Sequence, residues 1–151
     1  MALLYLDTSA LVKLYVQEAG TERMLELAHP DAGNQLAIVS LARIEFRSAV
    51  RRRAQIGDID AATAVLLIRT LNVHLATLFQ VQPVNDMVLE EAAGAVDRHL
   101  LRAYDAVQLG GCLALQSTVA EDFETQFVCA DGHLLRAAVA DGLVVLDPCQ
   151  P

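Results

Sequence analysis

The stretch "LLYL" (3–6) is apolar without alternation. A strand of that kind is stable only where both faces of the sheet are covered. Further strand-like segments follow at "QLAIVS" (35–40), "VQPV" (81–84), "TQFVCA" (125–130) and "LVVL" (143–146). Helical patterns separate them. Thr8 and Ser9 offer N-caps for a helix through "ALVKLYVQEAG", stopped at Gly20. "TERMLELA" (21–28) follows. Ser40 caps "LARIEFRSAVRRRAQ", which Gly57 stops; Asp58 or Asp60 caps "AATAVLLIRTLNVHLATLF"; and Asp86 caps "MVLEEAAGAVDRHL". "AYDAVQLGGCLALQS" and "GHLLRAAVA" complete the set. Strands alternating with helices predict a parallel α/β sheet with helices on both faces. The 151 residues suit a single domain.

Several classes are set aside by composition. The longest apolar run, "AATAVLLI" (61–68), ends at Arg69, well short of the roughly 20 residues a spanning helix needs. The first residues lack a basic region, and Asp7 interrupts what would be the hydrophobic core of a leader, so a cytoplasmic protein is expected. The three cysteines, Cys112, Cys129 and Cys149, form no CxxC, and the four histidines match no zinc spacing. Eleven basic residues against 19 acidic give a formal charge of −8, but the charge is segregated. Arg43, Arg47, Arg51, Arg52 and Arg53 face only Glu45 within 41–56, whereas Arg136 stands against six acids within 117–151.

In open parallel sheets ligands bind beyond the carboxyl ends of the strands. Asp7 and Asp131 each follow a predicted strand directly and should project from that edge. Glu45 has Leu41, Ala42, Ser48 and Ala49 at three and four residues, so it lies on the apolar side of its helix, away from the 43/47/51 arginine stripe. Asp105 stands early in a helix, where backbone amides favour an anion. Each aspartate taken alone fits an ordinary cap or turn. Together the four acids can converge. Carboxylates about 4 Å apart repel by roughly 4 kcal/mol at an effective dielectric of about 20. Such a group either takes up protons or holds a cation. Oxygen donors without His or Cys select a hard ion, Mg²⁺ or Mn²⁺, suited to phosphoryl chemistry.

Four segments, "YLDTSALVKLYVQEAG", "SLARIEFRSAV", "LRAYDAVQLG" and "FVCADGHLLRAA", carry a resemblance to PIN-domain ribonucleases, and in detail to the toxin of VapBC-type toxin–antitoxin pairs. It covers Leu4 to about Asp147. The resemblance implies a three-layer α/β/α sandwich and a metal-dependent endoribonuclease. Asp7, Glu45, Asp105 and Asp131 would be its acidic ligands and water-orienting groups. Ser9 would place a hydroxyl beside the metal or phosphate, with Thr8 a weaker candidate whose simpler role is capping. Arg102 matches a basic position where phosphate contact and a surface ion pair fit equally well. A homodimer and a small antitoxin, whose C-terminal segment covers the acidic pocket, are the implied partners. Cys129 stands where a small hydroxyl residue is usual, and Gly110-Gly111 where alanines are usual.

With that reading the stripe of Arg43, Arg47 and Arg51 is a candidate RNA-backbone contact, or a solvated helix face. Tyr15 and Phe46 are the candidate aromatic platforms, although Phe46 also reads as core. The helix at 61–79 is apolar almost all round, which fits a central core helix, a dimer interface or an antitoxin groove. A phosphatase of the haloacid-dehalogenase type would want DxD, but Ser9 is two residues after Asp7. A receiver domain would want a late lysine, but the only lysine is Lys13. A PIN-like nuclease outside a toxin–antitoxin pair, and a binding module whose acids only cap helices, stay open.

Overall fold

All five residues of the first strand, β1 (Ala2–Leu6), are buried, as its unbroken apolar run requires. The computed structural model describes residues 1–120 and 123–151; Glu121 and Asp122 of the acidic C-terminal segment lie outside the described residues. After β1 come α1 (Thr8–Lys13), α2 (Thr21–Ala28), a 3₁₀ turn at Pro30–Ala32, β2 (Gln35–Val39), α3 (Ala42–Gln55) and α4 (Ala61–Thr77). The chain continues through β3 (Phe79–Gln82), α5 (Asp86–His99), α6 (Ala103–Gln116), β4 (Glu124–Val128), α7 (Gly132–Ala140) and β5 (Val144–Leu146). The strands form one sheet, ordered β3-β2-β1-β4-β5, and every pairing is parallel.

Alternate side chains of the strands build two cores. Leu4 and Leu6, with Leu36 and Ile38, pack against Phe46, Val50, Ile68 and Leu71 of α3 and α4. Leu3, Tyr5, Ala37 and Val39 face the opposite way, onto Leu109 and Leu115 of α6 and Leu134 of α7. The result is the expected three-layer sandwich. Each fully buried Leu or Phe side chain contributes roughly 1.5–3 kcal/mol relative to exposure. No helix among the described residues is long and apolar enough to cross a membrane.

Several local expectations are corrected. The first helix stops at Lys13 instead of running to Gly20. The segment after it folds back on side-chain bonds: the buried Lys13 pairs with Glu18 at 2.8 Å, Arg53 of α3 pairs with the same carboxylate, and Thr21 Oγ1 donates to the Val16 carbonyl. Such bonds compete with helix continuation. Neither Thr8 nor Ser9 caps α1; Asp7 does. Leu41, not Ser40, occupies the N-cap of α3, and the Ser40 hydroxyl accepts from the Val84 amide instead. Asp60 caps α4 through the Thr63 amide, while Asn85, not Asp86, caps α5. β3 begins at Phe79, two residues earlier than expected, and ends before Pro83, which has no amide proton for the ladder.

Gly110 explains why a helix tolerates a poor helix former. A Cβ there would lie 2.7 Å from the Ala92 nitrogen and 2.8 Å from the Val88 oxygen, so α5 and α6 meet more closely than any side chain would allow. The apolar α4 is only partly a core helix. Ala64, Ile68 and Leu71 are buried, whereas Leu66 and Val73 are 62% and 61% exposed.

Candidate active site

The chain leaves β1 at the centre of the sheet, builds outward through β2 and β3, then returns to β4 on the other side of β1. The carboxyl ends of β1 and β4 therefore flank the point where the strand order reverses. Asp7 follows β1 there, its amide bonded to the Val128 carbonyl at the end of β4. Its carboxylate is 6% exposed and accepts from the Ser9 amide (3.1 Å), the Ser9 hydroxyl (2.6 Å) and the Cys129 thiol (3.4 Å). Among the described residues no basic side chain pairs with it. Burial raises its pKa, and the hydrogen bonds offset that only in part.

Glu45 reaches the same edge from the first turn of α3. Its Oε1 accepts from Gln108 Nε2 at 2.8 Å and from the Thr8 hydroxyl at 3.2 Å. Its pKa is raised by burial, and the charges of Asp7 and Asp105 add to this against the bonds from Gln108 and Thr8. Asp105, in the first turn of α6, is half-buried. Burial raises its pKa first, then the charges of Asp7 and Asp131, while Arg102 and His133 act the other way. Asp131 is exposed and caps α7 through the Leu134 amide at 2.9 Å. The structure thus brings the four predicted acids to one edge, where their charges disfavour one another.

Ser9 and Cys129 lie beneath the acids. The Ser9 hydroxyl donates to Asp7 and accepts from the Ala130 amide at 3.0 Å, tying the end of β1 to the loop after β4. Burial, and then the neighbouring Asp7 charge, push the Cys129 thiol up, so it stays protonated and can donate to Asp7; its sulfur accepts from the Asp131 amide at 3.2 Å. The thiol fills the place of a hydroxyl without competing as an anion.

A pocket of about 420 Å³ opens beside Glu45 and Asp105, lined also by Thr8, Arg52, Arg102 and Tyr104. Arg43, Arg47 and Arg51 do not line it; they lie on the exposed side of α3. Arg52 lines it instead. It follows Glu45 by seven residues, two helical turns, a spacing legible in the sequence but masked by the more conspicuous stripe. Neither candidate aromatic platform lines the pocket, and Phe46 takes its alternative place in the core. Phe46 is fully buried, and Tyr15 packs edge-on against it while its hydroxyl bonds His74 at 2.7 Å. The exposed ring on the pocket rim is Tyr104, 65% accessible. Gln108, fully buried and bonded to both Glu45 and Thr8, was not singled out either; only its spacing of three from Asp105 marks it.

Among the described residues, no three His, Cys, Asp or Glu side chains close around a point tightly enough to enclose an ion by themselves. Mg²⁺ does not require that. It keeps several waters and is commonly held by one or two carboxylates together with substrate phosphate oxygens. A buried carboxylate without a cationic partner, beside two others with raised pKa values, is a donor set that fits such an ion.

The sheet order and the two helical layers match the PIN-like three-layer α/β/α fold. Within that class the resemblance is to VapC-type toxins. No protein-family model matches the chain. It is 26% identical over 148 residues to Ribonuclease VapC47 of Mycobacterium tuberculosis (strain CDC 1551 / Oshkosh), covering 97% of each chain. Similar solved structures include FitAcB from Neisseria gonorrhoeae (TM-score 0.68, 15% identity, 98% of this chain and 99% of that one). PAE2754 from Pyrobaculum aerophilum superimposes with a TM-score of 0.64 at 22% identity, over 95% of this chain and 90% of that one. A toxin–antitoxin complex from Klebsiella pneumoniae matches with a TM-score of 0.63 at 16% identity, over 98% of each chain.

Proposed function

We propose that this chain is a Mg²⁺- or Mn²⁺-dependent endoribonuclease and the toxin of a toxin–antitoxin pair. The observation that carries the reading is Asp7: a carboxylate at the central strand end, buried without a cationic partner among the described residues, with Glu45 and Asp105 beside it. Retaining an unpaired buried charge is expensive unless a ligand uses it. Similarity to a ribonuclease over nearly the full length supports the same reading.

Asp7, Glu45 and Asp105 would hold or orient the ion, and Asp131 would complete the site or position the attacking water. The bound ion supplies a more acidic water and stabilises charge on the phosphate oxygens. A water oxygen would bond to phosphorus and give up a proton, the bond from phosphorus to the 3′ oxygen would break with that oxygen taking up a proton, and the phosphate would stay on the 5′ end of the downstream product. Ser9 fixes Asp7 from below, and Thr8 fixes Glu45. Arg52 and Arg102 line the pocket and would meet phosphates, while Tyr104 offers a face to a base. The exposed Arg43, Arg47 and Arg51 would meet the strand only beyond the pocket. The resemblance to VapBC assemblies supports a small antitoxin as partner, for which an acidic pocket suits a basic side chain. The exposed apolar side of α4 is the candidate homodimer face.

The test is cleavage of total and transfer RNA by the purified protein with Mn²⁺ or Mg²⁺, beside EDTA and identically prepared Asp7→Asn controls. Discrete products lost in both controls are expected. Equal cleavage by Asp7→Asn would remove Asp7 from the site, and no Mn²⁺ binding at all would favour a binding module whose acids only cap helices.

A further inference from the structure

Gln108 is the one fully buried amide side chain at the acidic edge. Its Nε2 donates to Glu45 Oε1 at 2.8 Å and to the Thr8 hydroxyl at 2.9 Å. Its Oε1 is buried without a partner among the described residues. The reverse orientation would press the amide oxygen against the Glu45 carboxylate, acceptor on acceptor, so the side chain has one chemically sensible pose. In that pose Glu45 Oε1 is engaged by two donors and, among the described residues, Oε2 by none. Both donors are neutral. A Lys or Arg here would pair with the carboxylate and compete with any cation, whereas an amide holds its direction and leaves its charge in place. A site serving packing alone would be filled by Leu or Met, with no orphaned carbonyl.

We infer that Gln108 is a positioning residue: by holding Oε1 it fixes Glu45 so that Oε2 is left for the divalent cation at the pocket. This rests on the metal-dependent reading above and deepens it. The groups that hold a ligand's orientation commonly change metal affinity by ten- to a hundredfold when removed.

The experiment is Mn²⁺ titration by calorimetry, without RNA, on the full chain and on Gln108→Met, which keeps the volume and loses both bonds. Gln108→Asn is the second variant, an amide one methylene too short to reach Glu45. Far-UV circular dichroism and melting in EDTA confirm that each is folded. Both variants are expected to bind Mn²⁺ about ten- to a hundredfold more weakly. In a Glu45→Gln background, Gln108→Met should cause no further loss, because its effect runs through Glu45. Folded variants with unchanged Mn²⁺ affinity, or an equal further loss in the Glu45→Gln background, would overturn the inference alone. Absence of Mn²⁺ binding by the unmodified protein would overturn the metal reading, and this inference with it.

Discussion

Asp7 and Asp131 hold equivalent places in the chain and opposite places in the molecule. Asp7 follows β1 directly and Asp131 comes three residues after β4, and each accepts a bond from an amide of the helix that follows. Asp7 is nevertheless buried and Asp131 exposed. Asp7 extends the central strand and is bonded in register to β4, with Cys129 and Ser9 packed on its carboxylate. Asp131 stands beyond Cys129, whose amide is bonded to the Leu146 carbonyl of β5, and sits past the rim of the sheet. A strand-end aspartate thus acquires unusual electrostatics only where neighbouring strands enclose it. Asp131 does what caps do, and Asp7 does that and more.

The largest expected effect tests this difference directly. Asp7→Asn should lower the rate of RNA cleavage by roughly a thousandfold or more, while Asp131→Asn lowers it by roughly ten- to a hundredfold. Initial rates with Mn²⁺ measure both, and equal losses would break the comparison.

A second test uses stability without metal. The folded state holds a proton on Asp7 more tightly than the unfolded chain does, because burial raises the pKa from 3.8. Stability from this group is therefore present at low pH and lost as pH rises from 3.8 through the raised value. In EDTA, Asp7→Asn should gain on the unmodified protein as the pH rises above 3.8, read as an increasing difference in melting temperature. Melting curves across that range check the sign; an unmodified protein that gains on the variant as pH rises would contradict it.

The cap at α7 gives the next effect in size. Asp131→Ala should cost about 1 kcal/mol, and Asp131→Asn almost nothing, since Asn caps as well as Asp. Denaturant midpoints at neutral pH separate the two. The smallest effect should come from Tyr5→Phe. The Tyr5 hydroxyl, two residues before Asp7, is buried without a partner among the described residues. Its loss should leave stability unchanged or raise it by up to about 1 kcal/mol.

Much of this arrangement was legible beforehand, because buried parallel strands leave unbroken apolar runs and the acids stand at their ends. "TERMLELA" and "GHLLRAAVA" match α2 and α7 residue for residue. What escaped was tertiary. Nothing near Lys13 announces that Glu18 and a distant Arg53 will end α1. Nothing local to Gly110 tells that the backbone of α5 packs against it. The charge stripe drew attention to Arg43, Arg47 and Arg51, although helical phase favours Arg52. Gln108 carries no motif, and its role exists only where α3, α6 and the end of β1 meet.

The bond between the Asp7 amide and the Val128 carbonyl spans 121 residues of sequence, so it also sets a clock. β1, β2 and β3 can pair while the last third of the chain is still being made, since domains fold progressively during synthesis. During that interval Asp7 and Glu45 have already emerged, but the strand that encloses Asp7 has not. Asp7 is then an ordinary solvated acid at an open sheet edge. A ribosome making this chain faces no assembled acidic edge until β4 docks.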